Sequence, residues 1–186
     1  MHCTFCSEFG HISRNCTLGK DLSLKIKILV GEIMEYFIAN NIKCPECNSN
    51  TLNVLHNNTP SCDIICSNCN KIFEIKSKCL SCINIPNDIF INHGHFDKFI
   101  SRINQGLNII VIIYSVNNFN KSIKVREVLY INNNNIKNYN IINISKKKEN
   151  NNTLIIIKNR KMLDKLIIYN YNTFSLKDEI NSFIKN

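Results

Sequence analysis

Two pairs of closely spaced cysteines constrain the fold of this 186-residue chain more than any other feature. Cys44-Pro-Glu-Cys47 is followed, after eighteen residues, by Cys66-Ser-Asn-Cys69, which is the C-x2-C-x18-C-x2-C spacing of a zinc ribbon. Each pair can supply two thiolates, and four thiolates close a tetrahedral zinc site with no position left for water. The alternative is that these cysteines are simply buried or form disulfides. We therefore expect one structural zinc ion on Cys44, Cys47, Cys66 and Cys69.

An acidic residue and an E-x-K tripeptide are interleaved with this ribbon. Asp63 precedes the second cysteine pair and Glu74-Ile75-Lys76 follows it, which is the spacing of a PD-(D/E)xK phosphodiesterase core. Strand alternation puts Glu74 and Lys76 on one face, within reach of Asp63 at the mouth of the preceding hairpin strand. Asp63 and Glu74 could then hold Mg²⁺, which prefers oxygen ligands, and Lys76 would assist the attacking water. The alternative is a solvated strand face that carries an ordinary ion pair.

Longer strings around these residues resemble a known family. They are N-x-P-x-x-D-x-x-C-x-x-C from Asn58 to Cys69 and F-E-x-K-S-K from Phe73 to Lys78. From about Cys44 to Ile131 the chain resembles the Dam-replacing (DpnI-like) family of restriction endonucleases. The resemblance implies a metal-dependent DNA endonuclease with Asp63, Glu74 and Lys76 catalytic and the four ribbon cysteines on zinc. It leaves the requirement for adenine methylation open, because both ends of the chain differ from the methyl-directed enzyme of the family.

A second cysteine pattern opens the chain. Cys3-x2-Cys6-x4-His11-x4-Cys16 has the ligand order and spacing of a CCHC zinc knuckle, a module that binds single-stranded nucleic acid. The aromatic ring of Phe5 could stack on an unpaired base, and Arg14 could contact a phosphate. The alternative is a structural knuckle that contacts a partner protein or its own domain. We expect a second zinc ion here, on Cys3, Cys6, His11 and Cys16.

Cysteine usage and composition favour a reducing, intracellular location in the cytoplasm or nucleus. After the two sites are assigned, Cys62, Cys79 and Cys82 remain and are interpreted as thiols, with Cys62 buried. No apolar run is long enough to cross a bilayer, so no membrane partner is expected. The net charge of +9 favours a polyanion such as DNA. That support is weak, because abundant Lys, Asn and Ile also reflect A/T-rich codons, as in a large AT-rich DNA virus.

Hydrophobic patterning predicts an α+β or α/β fold, with a mixed sheet of PD-(D/E)xK type flanked by helices. We expect three parts: a knuckle over residues 1–18, a nuclease domain with the inserted ribbon over 22–145, and a C-terminal extension over 146–186. The predicted elements are helices over 22–40 and 96–103, strands over 62–66, 71–76, 108–115 and 123–131, a final hairpin of 154–157 with 165–171, and a closing helix over 175–184. The Asn-rich stretches at 132–135 and 150–152, with the lysines at 146–148 between them, are predicted loops.

Four basic residues follow the catalytic strands. His93 and His95 flank Gly94 in a predicted loop, where a histidine pair is more often solvated than catalytic, and both are left out of the predicted site. Lys98 and Arg102 lie one turn apart on the next helix and are predicted to contact the phosphate backbone. Two functions are therefore weighed: a Mg²⁺-dependent DNA endonuclease of restriction type, and a non-catalytic zinc-containing protein that binds nucleic acid. The intact Asp63, Glu74 and Lys76 favour the first.

Overall fold

The computed structural model describes residues 17–55, 62–80, 84–117, 122–136, 141–147, 152–168 and 173–175, with side chains from residue 29 onward except those of residues 117 and 174. Several predicted features lie outside these residues: the CCHC knuckle with Cys3, Phe5, Cys6, His11, Arg14 and Cys16, the thiol of Cys82, and the closing helix beyond Ser175. The chain divides into two units, Met1–Ile33 and Met34–Asn186. In the first unit, the described residues belong to one helix.

The secondary structure is mixed, with ten strands and few helices in the described part of the chain. The helices are α1 (Thr17–Asn41), α2 (Phe96–Asn104), α3 (Asn133–Ile136) and a 3-10 turn at Arg160–Met162. The strands are β1 (Leu52–Val54), β2 (Ile64–Cys66), β3 (Ile72–Cys79), β4 (Ile89–His95), β5 (Asn108–Asn117), β6 (Ser122–Ile131), β7 (Ile142–Lys146), β8 (Asn152–Ile157), β9 (Asp164–Lys165) and β10 (Thr173–Ser175). The predicted α+β class is confirmed. In the described part of the chain, no helix is both long enough and apolar enough to cross a membrane.

Seven strands form a large mixed sheet with the order β1-β2-β3-β5-β6-β10, and β9 pairs with β6 beside it. The β3–β5 pairing is parallel, from Phe73 opposite Asn108 to Cys79 opposite Tyr114, and the other pairings are antiparallel. A parallel pair needs a crossover connection, and here the crossover contains β4 and α2. Through this crossover, residues of β4 and α2, which lie outside the large sheet, come close to β3.

A second sheet has three antiparallel strands in the order β4-β8-β7. Its buried residues join those of α2 and of one face of β5 and β6 in a single apolar cluster. The members of the cluster include Ile89, Ile91, Phe99, Ile103, Ile109, Val111, Ile113, Leu129, Ile155 and Ile157. Ile110 and Ile112 are also fully buried, so β5 is covered on both faces. This explains its nearly continuous Ile and Val sequence, which is typical of an interior strand with a parallel neighbour.

The structure corrects the predicted final hairpin. Leu154–Ile157 belongs to β8, which lies between β4 and β7 in the small sheet, whereas Lys165 belongs to β9 and pairs with Leu129 of β6. Alternate residues of β8 are buried, and Ile155 and Ile157 contribute to the shared core. In a hairpin, this strand would pair with one other strand. In the observed position it pairs with two strands, and its apolar face packs in the shared core. The strands after residue 146 therefore pair with strands of both sheets.

The Asn-rich segments are also more ordered than predicted. Asn133–Ile136 forms α3, because the Asn132 side-chain oxygen accepts a hydrogen bond from the Asn135 backbone N–H at 2.7 Å and Ile136 is buried. An asparagine before the first turn commonly caps a helix in this way. Lys146 ends β7 and Asn152 begins β8, so these two residues do not lie in a loop. Asparagine composition alone could not distinguish a cap from a loop.

A buried ion pair ties the segment before β4 to the large sheet. Arg160 donates to both carboxylate oxygens of Glu127 at 2.8 and 2.7 Å, and to the carbonyls of Ile85 and Pro86 at 3.0 and 2.9 Å. The Arg160 side chain is 10% exposed, whereas Lys165, which also binds Glu127, is 54% exposed. Removal of Arg160 would leave a mostly buried carboxylate with only a solvated partner.

We expect Arg160→Ala to lower the free energy of unfolding by about 3–5 kcal/mol, because it leaves the Glu127 charge mostly buried, with only the exposed Lys165 as its ionic partner. Lys165→Ala is the matched control and should cost less than about 1 kcal/mol, since exposed ion pairs contribute little. Chemical denaturation of the zinc-loaded full chain would measure both values. Equal effects of the two substitutions would contradict this assignment.

Candidate metal centre and active site

The four ribbon cysteines converge on one point. The Sγ atoms of Cys44, Cys47, Cys66 and Cys69 all lie within 4.8 Å of one another. The Cys44–Cys69 and Cys47–Cys66 sulfur atoms are 3.7 and 3.6 Å apart. Four sulfur atoms about 2.3 Å from a tetrahedral zinc ion are about 3.8 Å apart, whereas a disulfide bond is about 2.05 Å long. The geometry therefore fits a metal centre and excludes disulfides among these pairs.

The two cysteine turns have the same backbone geometry. Asn48 donates its N–H to the Cys44 carbonyl, and Asn70 donates its N–H to the Cys66 carbonyl, each at 2.8 Å. Both asparagines have a φ of 57°, in the left-handed region that asparagine tolerates better than most residues. Equivalent turns present the two pairs of thiols to the same centre.

Two hydroxyl groups contact sulfur atoms on one side of this cluster. The Ser49 Oγ lies 3.0 Å from the Cys47 Sγ and 3.5 Å from the Cys66 Sγ, and the Thr51 Oγ1 lies 3.3 Å from the Cys66 Sγ. Burial by itself would raise the pKa of Cys66, but hydrogen bonds from Ser49 and Thr51 lower it to about 5. Burial raises the pKa of Cys44. Because a metal takes thiolates, the hydroxyl groups favour the form of Cys66 that can bind it.

The cysteine centre and the large sheet meet at a buried tyrosine. The Tyr130 hydroxyl on β6 contacts the Glu46 carboxylate between the first two cysteines. The same hydroxyl lies 3.3 Å from the Asn108 Oδ1, which accepts the Asn133 N–H at 3.0 Å. Burial, followed by the Glu46 contact, raises the pKa of Tyr130, so its hydroxyl remains a donor. These contacts fix the first cysteine turn relative to β5 and β6.

Asp63 lies directly before β2, and its carboxylate reaches β3. Its Oδ2 accepts the Ile75 N–H at 2.7 Å, and its own N–H donates to the Phe73 carbonyl at 3.1 Å. Burial and then the negative charge of Glu74 raise the pKa of Asp63, although Lys76 and Arg102 partly offset this effect. The structure thus brings Asp63 next to the E-x-K segment, as the hairpin geometry predicts.

Glu74 is the most heavily contacted acid at this place. Its side chain is 6% exposed, and its Oε1 accepts from the Lys76 Nζ at 2.6 Å and lies 3.1 Å from the His93 Nε2. Its Oε2 accepts from the Arg102 NH1 at 3.1 Å. Burial alone would raise the pKa of Glu74, but the His93 hydrogen bond and the Lys76 charge lower it to about 2. Glu74 is therefore an ionised carboxylate in the interior, with basic groups from three elements around it.

The predicted loop is wrong for both histidines, which lie in β4, and the predicted solvation is wrong for His93. His93 lies in β4 rather than in a loop, its ring centroid is 4.2 Å from that of Phe99, and its Nε2 contacts Glu74. His95 is exposed. The two histidines are two residues apart on a strand, but the pairing with β8 shifts register between them. Strand alternation alone therefore could not show which histidine faces β3.

The other residues named from the sequence lie on α2, in the apolar cluster and at the end of β3. Lys98 is exposed on α2, whereas Arg102, one turn later, contacts Glu74. Cys62 is buried in the apolar cluster, as predicted, and Cys79 is exposed at the end of β3. Within the described residues, the cysteine cluster is the one group of three or more His, Cys, Asp or Glu ligand atoms close enough to share an ion.

Metal analysis of the full chain should find two zinc ions per molecule, one for the ribbon and one for the predicted knuckle. Cys66→Ser should lose one of them, because a thiolate is removed from the four-sulfur centre, and should loosen the hairpin that carries Asp63. Cys79→Ser is the matched control and should retain both ions, since Cys79 lies outside the cluster. Elemental analysis with circular dichroism would measure this, and a well-folded protein without zinc would contradict the assignment.

Comparison with protein families places most of this chain in one of them. The model of the Dam-replacing family, DpnI, matches residues 15–153, which is most of the chain and includes the cysteine cluster, Asp63, Glu74 and Lys76. The match begins after Cys3, Cys6 and His11, so it does not bear on the predicted knuckle. No curated protein matches the chain. The family match includes strands of both sheets and ends at the start of β8, and this chain therefore belongs to the Dam-replacing family of DpnI-like restriction endonucleases.

Proposed function

We propose that this protein is a metal-dependent DNA endonuclease of restriction type, with Asp63, Glu74 and Lys76 as its catalytic residues. Membership of the family supports a nuclease that acts on DNA. The observation that carries the residue assignment is the position of the Asp63 carboxylate on the Ile75 N–H, between Glu74 and Lys76 of β3, where Lys76 also contacts Glu74. A buried carboxylate such as that of Glu74 is costly unless positive charge lies near it.

Asp63 and Glu74 are the proposed ligands of a Mg²⁺ ion. Their carboxylate oxygens are the ligand type that Mg²⁺ prefers, and their mutual repulsion, which contributes to the raised pKa of Asp63, would be relieved by a shared cation. The donor set therefore fits the ion that restriction nucleases use. When bound, Mg²⁺ supplies Lewis-acid stabilisation of the phosphate and a more acidic water.

Basic side chains of β3 and α2 have separate proposed roles. Lys76, whose Nζ lies 2.6 Å from the Glu74 Oε1, would orient the attacking water and stabilise charge on the phosphate. Arg102 and Lys98 project from consecutive turns of α2 and are proposed to contact the DNA backbone. Arg102 has the further function of neutralising Glu74 through its contact at 3.1 Å.

The proposed domain organisation follows the same assignment. We propose a PD-(D/E)xK-type core in residues 22–145 with a zinc ion on the four ribbon cysteines, and a CCHC knuckle in residues 1–18 that holds a second zinc ion and binds single-stranded nucleic acid. Strands β8, β9 and β10 of the 146–186 extension pair with strands of the core, which supports a structural role for the extension. A cytoplasmic or nuclear location is supported by the four clustered thiols and the exposed Cys79.

Plasmid cleavage tests the proposed function directly. Zinc-loaded full-length protein would be incubated with adenine-methylated and unmethylated plasmid, each with Mg²⁺ and with EDTA in excess over Mg²⁺. Cleavage that requires Mg²⁺ supports the proposal, and the comparison of plasmids reports whether methylation is needed. Binding without cleavage of either plasmid would instead favour the non-catalytic zinc protein that binds nucleic acid.

Glu74→Ala and Lys76→Ala should each reduce Mg²⁺-dependent cleavage by at least about a hundredfold, because they remove a metal ligand and a group that stabilises the transition state. Both proteins should keep their zinc, since neither residue ligates it. Lys124→Ala, an exposed lysine on β6, is the control for loss of a positive charge and should cleave normally. Undiminished cleavage by both active-site variants would contradict the assignment.

Deletion of residues 1–16 should leave cleavage intact and weaken binding to single-stranded nucleic acid. Phe5→Ala alone should cause much of this loss, on the order of 1–3 kcal/mol, because base stacking is removed. The salt dependence of binding should remain nearly unchanged for Phe5→Ala and become shallower for Arg14→Ala, which removes a phosphate contact. Fluorescence anisotropy at several salt concentrations measures both. Unchanged binding by the truncated chain would indicate that the knuckle contacts protein instead.

A further inference from the structure

His93 approaches Glu74 from a different sheet. It lies on β4 of the three-stranded sheet, whereas Glu74 lies on β3 of the large sheet. Its side chain is 8% exposed, its Nε2 is 3.1 Å from the Glu74 Oε1, and its ring packs against Phe99 of α2. The buried His93 side chain therefore contacts both Glu74 and a core aromatic residue.

A local irregularity of β4 brings His93 into this position. The register with β8 shifts between His93, opposite Thr153, and His95, opposite Asn152, so Gly94 is an extra residue. The buried Thr153 hydroxyl donates to the Gly94 carbonyl at 3.0 Å and thereby satisfies a backbone group that the irregularity frees. Strand bulges of this kind redirect neighbouring side chains, often beside active sites. Here the bulge separates the buried His93 from the exposed His95.

The hydrogen bond to Glu74 is the polar contact that distinguishes His93 from a phenylalanine. Within the described residues, the His93 Nδ1 is buried and has no hydrogen-bond partner. With its proton on Nε2, the ring donates to Glu74, and its packing on Phe99 uses carbon atoms that an apolar ring would also supply. The imidazole therefore loses hydrogen bonding at one nitrogen and retains it at the other, where it contacts the proposed metal ligand.

The three donors to Glu74 restrict its carboxylate from three directions. Lys76 and His93 share the Oε1, and Arg102 binds the Oε2. Lys76 and Arg102 are long side chains with several rotatable bonds, and each is more than a fifth exposed, whereas His93 is held by the core. The rigid donor is best suited to fix the plane of the carboxylate.

We propose that His93 is a positioning residue, whose Nε2–H fixes the Glu74 carboxylate in the orientation that binds the catalytic divalent cation. This inference rests on the proposed function, since it takes Glu74 to be a metal ligand. Groups that hydrogen-bond to a metal ligand commonly change metal affinity or activity by 10- to 100-fold when they are removed.

Two substitutions separate hydrogen bonding from packing. His93→Gln keeps an N–H donor within reach of Glu74 but loses the ring, whereas His93→Phe keeps the ring on Phe99 but loses the donor. His95→Ala is the matched control, because His95 is an exposed histidine on the same strand. Each zinc-loaded protein would be titrated with Mn²⁺ in the absence of DNA by electron paramagnetic resonance, and its plasmid cleavage measured against Mg²⁺ concentration.

We expect His93→Phe to weaken Mn²⁺ binding and raise the half-saturating Mg²⁺ concentration by about tenfold, with an unchanged thermal midpoint. His93→Gln should restore both values to within about threefold of the unsubstituted protein, even if its thermal midpoint falls, and His95→Ala should match that protein. The opposite order, with His93→Gln impaired and His93→Phe normal, would show that packing matters and would overturn the proposal.

Glu74→Gln, measured in the same way, separates failure of this inference from failure of the proposed function. If Glu74→Gln loses Mn²⁺ binding while His93→Phe binds Mn²⁺ normally, the metal site stands and the positioning role of His93 is wrong. If Glu74→Gln binds Mn²⁺ and cleaves DNA normally, the part of the proposed function that makes Glu74 a catalytic metal ligand fails, and with it the role of His93.

Discussion

The geometry of the whole site depends on the convergence of four cysteine sulfur atoms from two separate turns. One turn precedes β1 and the other joins β2 to β3, so bringing their sulfur atoms to within 4.8 Å of one another fixes these strands at one edge of the large sheet. Asp63 lies three residues before Cys66, and Glu74 lies five residues after Cys69. Because the two carboxylates flank the second turn so closely, the cysteine cluster that positions the turn also constrains where they lie.

The interior carboxylate of Glu74 joins the parts of the fold that the cysteine centre does not reach. Its donors come from β3, β4 and α2, so the large sheet, the small sheet and the crossover helix meet at one charged group. A buried charge is costly unless it is paired and hydrogen-bonded. The apolar cluster beneath α2 supplies the rigidity, since Phe99 packs against His93 and Ile103 lies in the same core.

Short-range patterns predicted much of this structure. The cysteine spacing indicated the cysteine cluster, the Asp63 and E-x-K spacing indicated residues that the hairpin brings together, and the apolar runs indicated β5 and β6. The predictions of secondary structure were wrong where contacts with residues far apart in the chain determine the structure. Leu154–Ile157 is equally apolar in a hairpin or in a central strand, and only its pairing with β4 and β7 distinguishes the two. Asn133–Ile136 is a mixed case, because its cap from Asn132 is local, whereas the burial of Ile136 in the apolar cluster depends on distant residues.

Ligand spacing within about thirty residues is a property of the chain itself, because C-x2-C turns and strand alternation are local geometry that needs no distant contact. For that reason the amino-acid order alone was enough to specify the cysteine centre and the shared face of Glu74 and Lys76. The contacts of His93 and Arg102 with Glu74 could not be specified in this way, because each spans at least nineteen residues and depends on a crossover, a bulge and a second sheet. Side chains that lie far apart in the chain meet only where packing of the two sheets and α2 brings them together.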